Sequence, residues 1–189
     1  MADTETPYWH AGLGFGFELP EGWRLELESA NAVFPALVSM RAGDARVMAA
    51  ARGAMSTELS ERAASMQEEL AARSIEARPV AAGLSFPDTG NVAAVEFEID
   101  GNRQRWVSMV ANGLEFSFTH TGSYEEVRKG LERLAATFRM PQEAQVRPFL
   151  IARALSPTAR AADLERLSHF QRVAARFHVP AAKPPKRSS

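Results

Sequence analysis

Residues 91–118 constrain the fold more than any other stretch of this chain. Val95, Phe97 and Ile99 alternate with Ala94, Glu96 and Glu98, and a period of two belongs to a strand with one face on a core. Asp100-Gly101-Asn102 makes a tight turn, after which Trp106, Ser108 and Val110 alternate with Val107 and Met109. Asn112-Gly113 is a type I′ hairpin signal, and Leu114, Phe116 and Phe118 then alternate with Glu115, Ser117 and Thr119. The stretch predicts a three-stranded antiparallel meander with one buried face.

The flanking segments extend this sheet. Phe15 and Phe17 share one side of an extended segment, and Pro20-Glu21-Gly22-Trp23 turns the chain. A strand follows with Leu25 and Leu27 on the side of Trp23. Residues 32–42 and 45–52 form a hairpin around Gly43-Asp44. After Ser56-Thr57, Leu59, Ala63, Met66 and Leu70 mark one helix face, with Glu61, Arg62, Glu68 and Glu69 outside. Ser123 and Glu126 form a capping box for a second helix, with Val127, Leu131, Leu134 and Phe138 on one side. The expected architecture is α+β, an antiparallel sheet with helices packed on one side, plus a C-terminal helical extension.

The domain plan expected is a flexible leader over 1–11, an α+β domain over 12–140, a helical extension over 141–178 and a disordered basic tail over 179–189. In the extension, Leu164, Leu167, Phe170, Ala174 and Phe177 mark one helix side, with Arg160, Arg166, Arg172 and Arg176 off it. Charge divides at the same boundary. Residues 1–140 hold 13 bases and 20 acids, whereas 141–189 hold 9 bases and 3 acids. The acidic body opposes specific nucleic-acid binding, since phosphate repels it. With no cysteine, disulfides and thiol chemistry are excluded. No apolar run reaches a membrane span and the acidic N-terminal residues do not read as a signal peptide. Cytoplasmic residence is the expectation.

This order of elements resembles one superfamily. An aromatic strand, a Pro-x-Gly-Trp turn, a hairpin, a helix, a meander and a closing helix ending in Phe run over residues 12–140. Phe15, Phe17, Pro20, Gly22, Trp23, Gly101, Asn112, Gly113, Tyr124 and Phe138 carry the likeness. The chain resembles the PsbP-like superfamily, which also holds a Ran-binding nuclear import factor and bacterial DcrB-like and type VI effector chaperone proteins. The resemblance implies a non-enzymatic binding protein, and its bacterial branch implies a cytoplasmic chaperone linked to secretion.

No catalytic constellation is legible. His10, His120, His169 and His178 lack metal-ligand spacing. Gly12-Leu13-Gly14-Phe15-Gly16 lacks the spacing of a phosphate loop and leads into a strand. Glu96 and Glu98 read as a solvated strand edge laddered to Arg103 and Arg105, and Glu96 with His120 would be the first suspects for an enzyme. No G-x-S-x-G elbow occurs. Neither catalytic residues, nor a metal site, nor a cofactor is expected.

The expectation is therefore a protein-binding adaptor or chaperone-like module. Its sheet face would take an apolar segment of another protein, with Trp106, Met109 and Phe116 as contacts. The alternative is a carrier of a small apolar ligand or lipid in an aromatic-lined groove. The apolar side of the tail helix could close that groove in its own molecule or join two copies as a homodimer.

Overall fold

The computed structural model describes residues 6–31, 34–87 and 89–177. Strands β1 (Thr6–His10) and β2 (Phe15–Leu19) form a hairpin. The remaining strands are β3 (Trp23–Ser29), β4 (Ala36–Ala42), β5 (Ala45–Gly53), β6 (Ala77–Pro79), β7 (Val92–Ile99), β8 (Asn102–Ala111) and β9 (Leu114–His120). They build one antiparallel seven-stranded sheet in the order β3-β4-β5-β9-β8-β7-β6. The helices are α1 (Leu59–Ala71), α2 (Tyr124–Thr137), α3 (Glu143–Leu155) and α4 (Pro157–Phe177).

The meander forms as expected, with Met109 opposite Phe116 and Val95 opposite Trp106. Asp100 and Asn112 take positive φ at its two turns, each followed by a glycine that does the same. The α+β class and the C-terminal helices also stand.

The sheet, however, carries helices on both faces. Residues Val107, Met109, Phe116 and Phe118 pack in one core with Leu131 and Leu134 of α2. Their alternating neighbours Ala93, Val95 and Trp106 pack in a second core with Ala63 and Leu70 of α1. One-sided packing was expected because the second face is written largely in polar residues, Ser108, Glu115 and Ser117, all of them buried. Arg62, expected on the outer side of α1, is 1% exposed for the same reason.

Phe138 is the hub of the first core. Its ring lies within 6.2 Å, centroid to centroid, of Phe15, Phe17, Phe86, Phe116 and Phe118. Backbone bonds between Gly16 and Arg139 dock the β1–β2 hairpin beside it. The leader is thus ordered from Thr6, where β1 pairs with β2, because Tyr8 has a core to enter. Residues 1–5 of that expectation lie outside the described residues, as does 179–189.

One local departure has a simple cause. The β3–β4 register shifts between Leu25 and Leu27, so Leu27 pairs with Ser39 and leaves the side of Trp23. Trp23 lies over Gly130 of α2, where an added Cβ would come within 2.2 Å of the indole. Gly130→Ala normally favours a helix by roughly 0.5–1 kcal/mol. Here it is expected to destabilise by about 1–3 kcal/mol through overpacking. The penalty is expected to vanish in a Trp23→Ala background, as read from urea unfolding of the two single variants and the double.

Candidate protein-binding surface

The second sheet face is crossed by a chain of buried polar groups. Arg62 projects from α1 and donates from Nη1 to the Ser108 carbonyl at 2.9 Å and to Ser108 Oγ at 2.7 Å. Its Nη2 donates to the Asn91 carbonyl at 3.0 Å and also meets Asn91 Oδ1. Ser108 Oγ donates to Glu115 Oε1 at 2.7 Å. Glu115 Oε2 accepts from Arg52 Nε at 2.9 Å and lies 3.5 Å from Arg166 Nη2. Every link joins a different element, so α1, β8, β9, β5 and α4 are tied together.

The last link docks the extension. Arg166 Nη1 donates to the Gly53 carbonyl at 3.0 Å. Asp163 accepts from Arg153 Nη2 at 2.7 Å and from Nε at 3.0 Å, a fork that joins α3 to α4. Burial pushes the Arg166 guanidinium down to about 10, with Arg52 adding repulsion and Glu115 and Asp163 opposing it. The group stays charged at neutral pH. Ala159, Phe170 and Val173 are buried alongside it. The docked side of α4 therefore follows 159, 163, 166, 170 and 173, with Arg166 on it. The expected apolar side is rotated away, because a buried carboxylate and a strand-end carbonyl need a donor.

That rotation leaves large aliphatic groups outside. Ile151 and Leu155 of α3 are 54% and 78% exposed, and Leu164 and Leu167 of α4 are 59% and 39% exposed. Their spacings, i,i+4 and i,i+3, place each pair on one side of its helix.

The contact candidates read from the sequence lie elsewhere. Trp106, Met109 and Phe116 are each no more than 2% exposed. Met109 and Phe116 face each other in the first core, while Trp106 points the opposite way, under α1. None of them offers surface to a partner in this arrangement. The rings around Phe138 pack on one another in the first core.

Glu96 and His120 do come together, through Arg105. The Arg105 backbone N–H donates to His120 Nε2 at 3.0 Å, and its Nε donates to Glu96 Oε2 at 3.0 Å. The guanidinium lies 4.1 Å from the centroid of the Tyr124 ring. Arg78 donates to Glu96 Oε1 at 2.7 Å. Glu96 is thus a buried carboxylate under three guanidiniums rather than a solvated edge. The bond from Arg78 holds it below the usual carboxylate range against burial, with Arg105 and Arg103 assisting. Burial pushes the His120 imidazole below its ordinary range, with the nearby backbone at Thr121 and Gly122 opposing the shift. No cluster of three or more metal-ligating side chains occurs among the described residues. Gly12–Gly16 spans the β1–β2 turn and enters β2.

The hydropathy of Ile151, Leu155, Leu164 and Leu167 was visible in the sequence, but their outward direction was not. The signal that could have revealed it is the i,i+3 pair Asp163 and Arg166, which shares a side with Phe170.

The fold has a solved counterpart. The solution structure of cyanobacterial PsbP (CyanoP) from Synechocystis sp. PCC 6803 superposes with a TM-score of 0.50 at 12% identity, covering 71% of this chain and 91% of that one. A crystal structure from Bacteroides thetaiotaomicron VPI-5482 aligns at a TM-score of 0.43 and 14% identity, over 74% of this chain and 50% of that one. No protein-family model matches the sequence, and no curated protein matches it. The chain thus has a PsbP-like fold, as the order of its sequence elements implied. No helix among the described residues is long and apolar enough to cross a membrane.

Two pH windows follow from these surroundings. A depressed histidine keeps the folded state neutral while the unfolded chain gains a proton, so His120 removes stability as pH falls below about 6.5. A depressed carboxylate gives stability above its ordinary value, so the contribution of Glu96 fades as pH falls below about 4.5. Urea unfolding across pH 8 to 3 is expected to lose the first decline in His120→Gln and the second in Glu96→Gln. Arg62→Ala strands the acceptors of Ser108 and Asn91 in the interior and is expected to cost about 3–5 kcal/mol in the same assay at pH 7.

Proposed function

We propose that this chain is a non-enzymatic protein-binding adaptor of the chaperone-like kind, acting in the cytoplasm, and that its contact surface is the outward side of α3 and α4. The observation that carries this reading is the exposure of Ile151, Leu155, Leu164 and Leu167 on helices held by buried polar groups. Large aliphatic side chains kept in water on a fixed support favour burial against another protein. The fixed support matters, because a preordered surface loses little freedom on binding.

The arrangement of polar groups agrees with a non-enzymatic role. Two serines donate to carboxylates, Ser108 to Glu115 at 2.7 Å and Ser56 to Glu61 at 2.5 Å; Ser108 is wholly buried, and neither serine is bonded to a histidine in these contacts. Glu96 is held by Arg105 and Arg78, and His120 Nε2 accepts from the Arg105 backbone N–H. The partner expected is a protein segment with an apolar side, such as an amphipathic helix.

The test compares the full chain with Leu155→Asn/Leu164→Asn/Leu167→Asn as bait in native lysate of the source organism. Each substitution sits on exposed surface and is expected to change stability by no more than about 0.5 kcal/mol. The wild type is expected to retain a stoichiometric protein that the variant loses at least tenfold. Equal retention by both baits, or no stoichiometric protein with either, contradicts the proposal. Sedimentation of the bait alone separates a second copy of the chain from a different partner.

A further inference from the structure

The outward sides of α3 and α4 carry bases as well as aliphatic groups. On α3, Arg147 precedes Ile151 at i,i+4 and so stands one turn from it on the same side. On α4, Arg160 bears the same relation to Leu164, and Arg160, Leu164, Leu167 and Gln171 fall on one stripe. Both arginines are exposed, and neither has a hydrogen bond or ion pair among the described residues.

The acids of the two helices are placed or committed elsewhere. Asp163, one turn before Leu167, is forked to Arg153 on the docked side. Glu165 lines a small concavity with Glu69 of α1, His169 and Arg172. Glu143 stands in the first turn of α3, about two turns before Ile151, where the helix dipole favours an acid. Each exposed aliphatic pair is therefore headed by a guanidinium without a carboxylate. The chain's own termini do not supply one here. Residues 178–189 hold no acid. The acids Asp3 and Glu5 precede Thr6, which lies at the end of the β1–β2 hairpin away from the Gly14 turn beside Gln145 of α3.

We propose that this surface selects an acidic amphipathic helix of another protein. Its apolar stripe would lie on Ile151, Leu155, Leu164 and Leu167, with its carboxylates over Arg147 and Arg160. The proposal rests on the protein-binding reading above and specifies the chemistry of the partner. Charge complementarity fixes the sign, because a partner without acids would cover two guanidiniums and leave them unpaired. The spacings of the aliphatic pairs suit the ridges and grooves of another helix. A second copy docked through the same surface would bring Arg147 and Arg160 against their own images. A membrane surface favours a broad apolar face with aromatic groups. The large side chains exposed here are aliphatic, two to a helix among the described residues.

The test uses the full chain and two synthetic amphipathic helices of about 18 residues, with leucines at i, i+3, i+4 and i+7. One carries about four glutamates beside the leucines and the other about four lysines in their place. The glutamate peptide is expected to bind at least about tenfold more tightly at about 50 mM salt, and the gap to shrink below about threefold at about 0.5 M. Arg147→Glu/Arg160→Glu is expected to reverse the preference, which a misfolded surface would not do. Leu155→Asn/Leu164→Asn/Leu167→Asn is expected to lose both peptides. Equal affinities, a lysine preference in the wild type, no binding of either peptide, or a preference indifferent to Arg147→Glu/Arg160→Glu overturns the proposal. So does binding to vesicles of about 30% phosphatidylglycerol in phosphatidylcholine that the leucine variant abolishes, which assigns the surface to a membrane. A leucine-dependent partner from lysate together with no charge preference between the peptides keeps the adaptor reading and removes this one.

Discussion

Glu115 is a carboxylate with 1% exposure in the middle of a β-strand, and the placement of the C-terminal helices depends on it. An isolated buried carboxylate is costly, so its surroundings must supply donors. Ser108 and Arg52 do so from neighbouring strands, and Arg166 does so from α4. A hydrophobic contact would accept α4 at several rotations and offsets. A carboxylate and a carbonyl that need a guanidinium accept it at one. Buried ion pairs add little net stability over an apolar replacement, but losing one partner is severe. The network therefore explains specificity of docking better than strength.

The two faces of the sheet use opposite means to the same end. On the first, five phenylalanine rings meet around Phe138, where shape and area decide the packing. On the second, a smaller apolar cluster around Trp106 sits beside the polar chain from Asn91 to Asp163. The first face is closed by α2 and the β1–β2 hairpin. The second is closed by α1 and α4. Large aliphatic residues of the cover, on α3 and α4, face outward.

Most of the fold was legible because its signals are local. Alternation at 95–99 and 114–118, Asn112-Gly113, the Ser123–Glu126 box and the break at Pro141 each act within a few residues. The second face was not legible, because Ser108, Glu115 and Arg62 have the hydropathy of solvated residues and only tertiary partners make their burial tolerable. The same blindness placed Trp106, Met109 and Phe116 on a binding surface. Alternation reveals that a side chain has a face, not what lies against it. Short β6 was also invisible, since a three-residue strand holding Pro79 is defined by its pairing with β7 and not by its composition. The PsbP-like order of elements was readable over the body, whereas the docked side of α4 depends on Glu115, whose partner Arg166 lies 51 residues away in sequence.

Native-state hydrogen exchange on Glu115→Gln, Arg166→Met and the double variant addresses the central claim most directly. If the Glu115–Arg166 contact clamps the extension, each single substitution speeds exchange of α3 and α4 amides about tenfold or more, and the double is no faster than the worse single. Amides of β7 and β8 and of α2 stay as slow as in the wild type after Arg166→Met. Unchanged exchange of α3 and α4 in Arg166→Met, or fully additive effects in the double variant, would contradict the account.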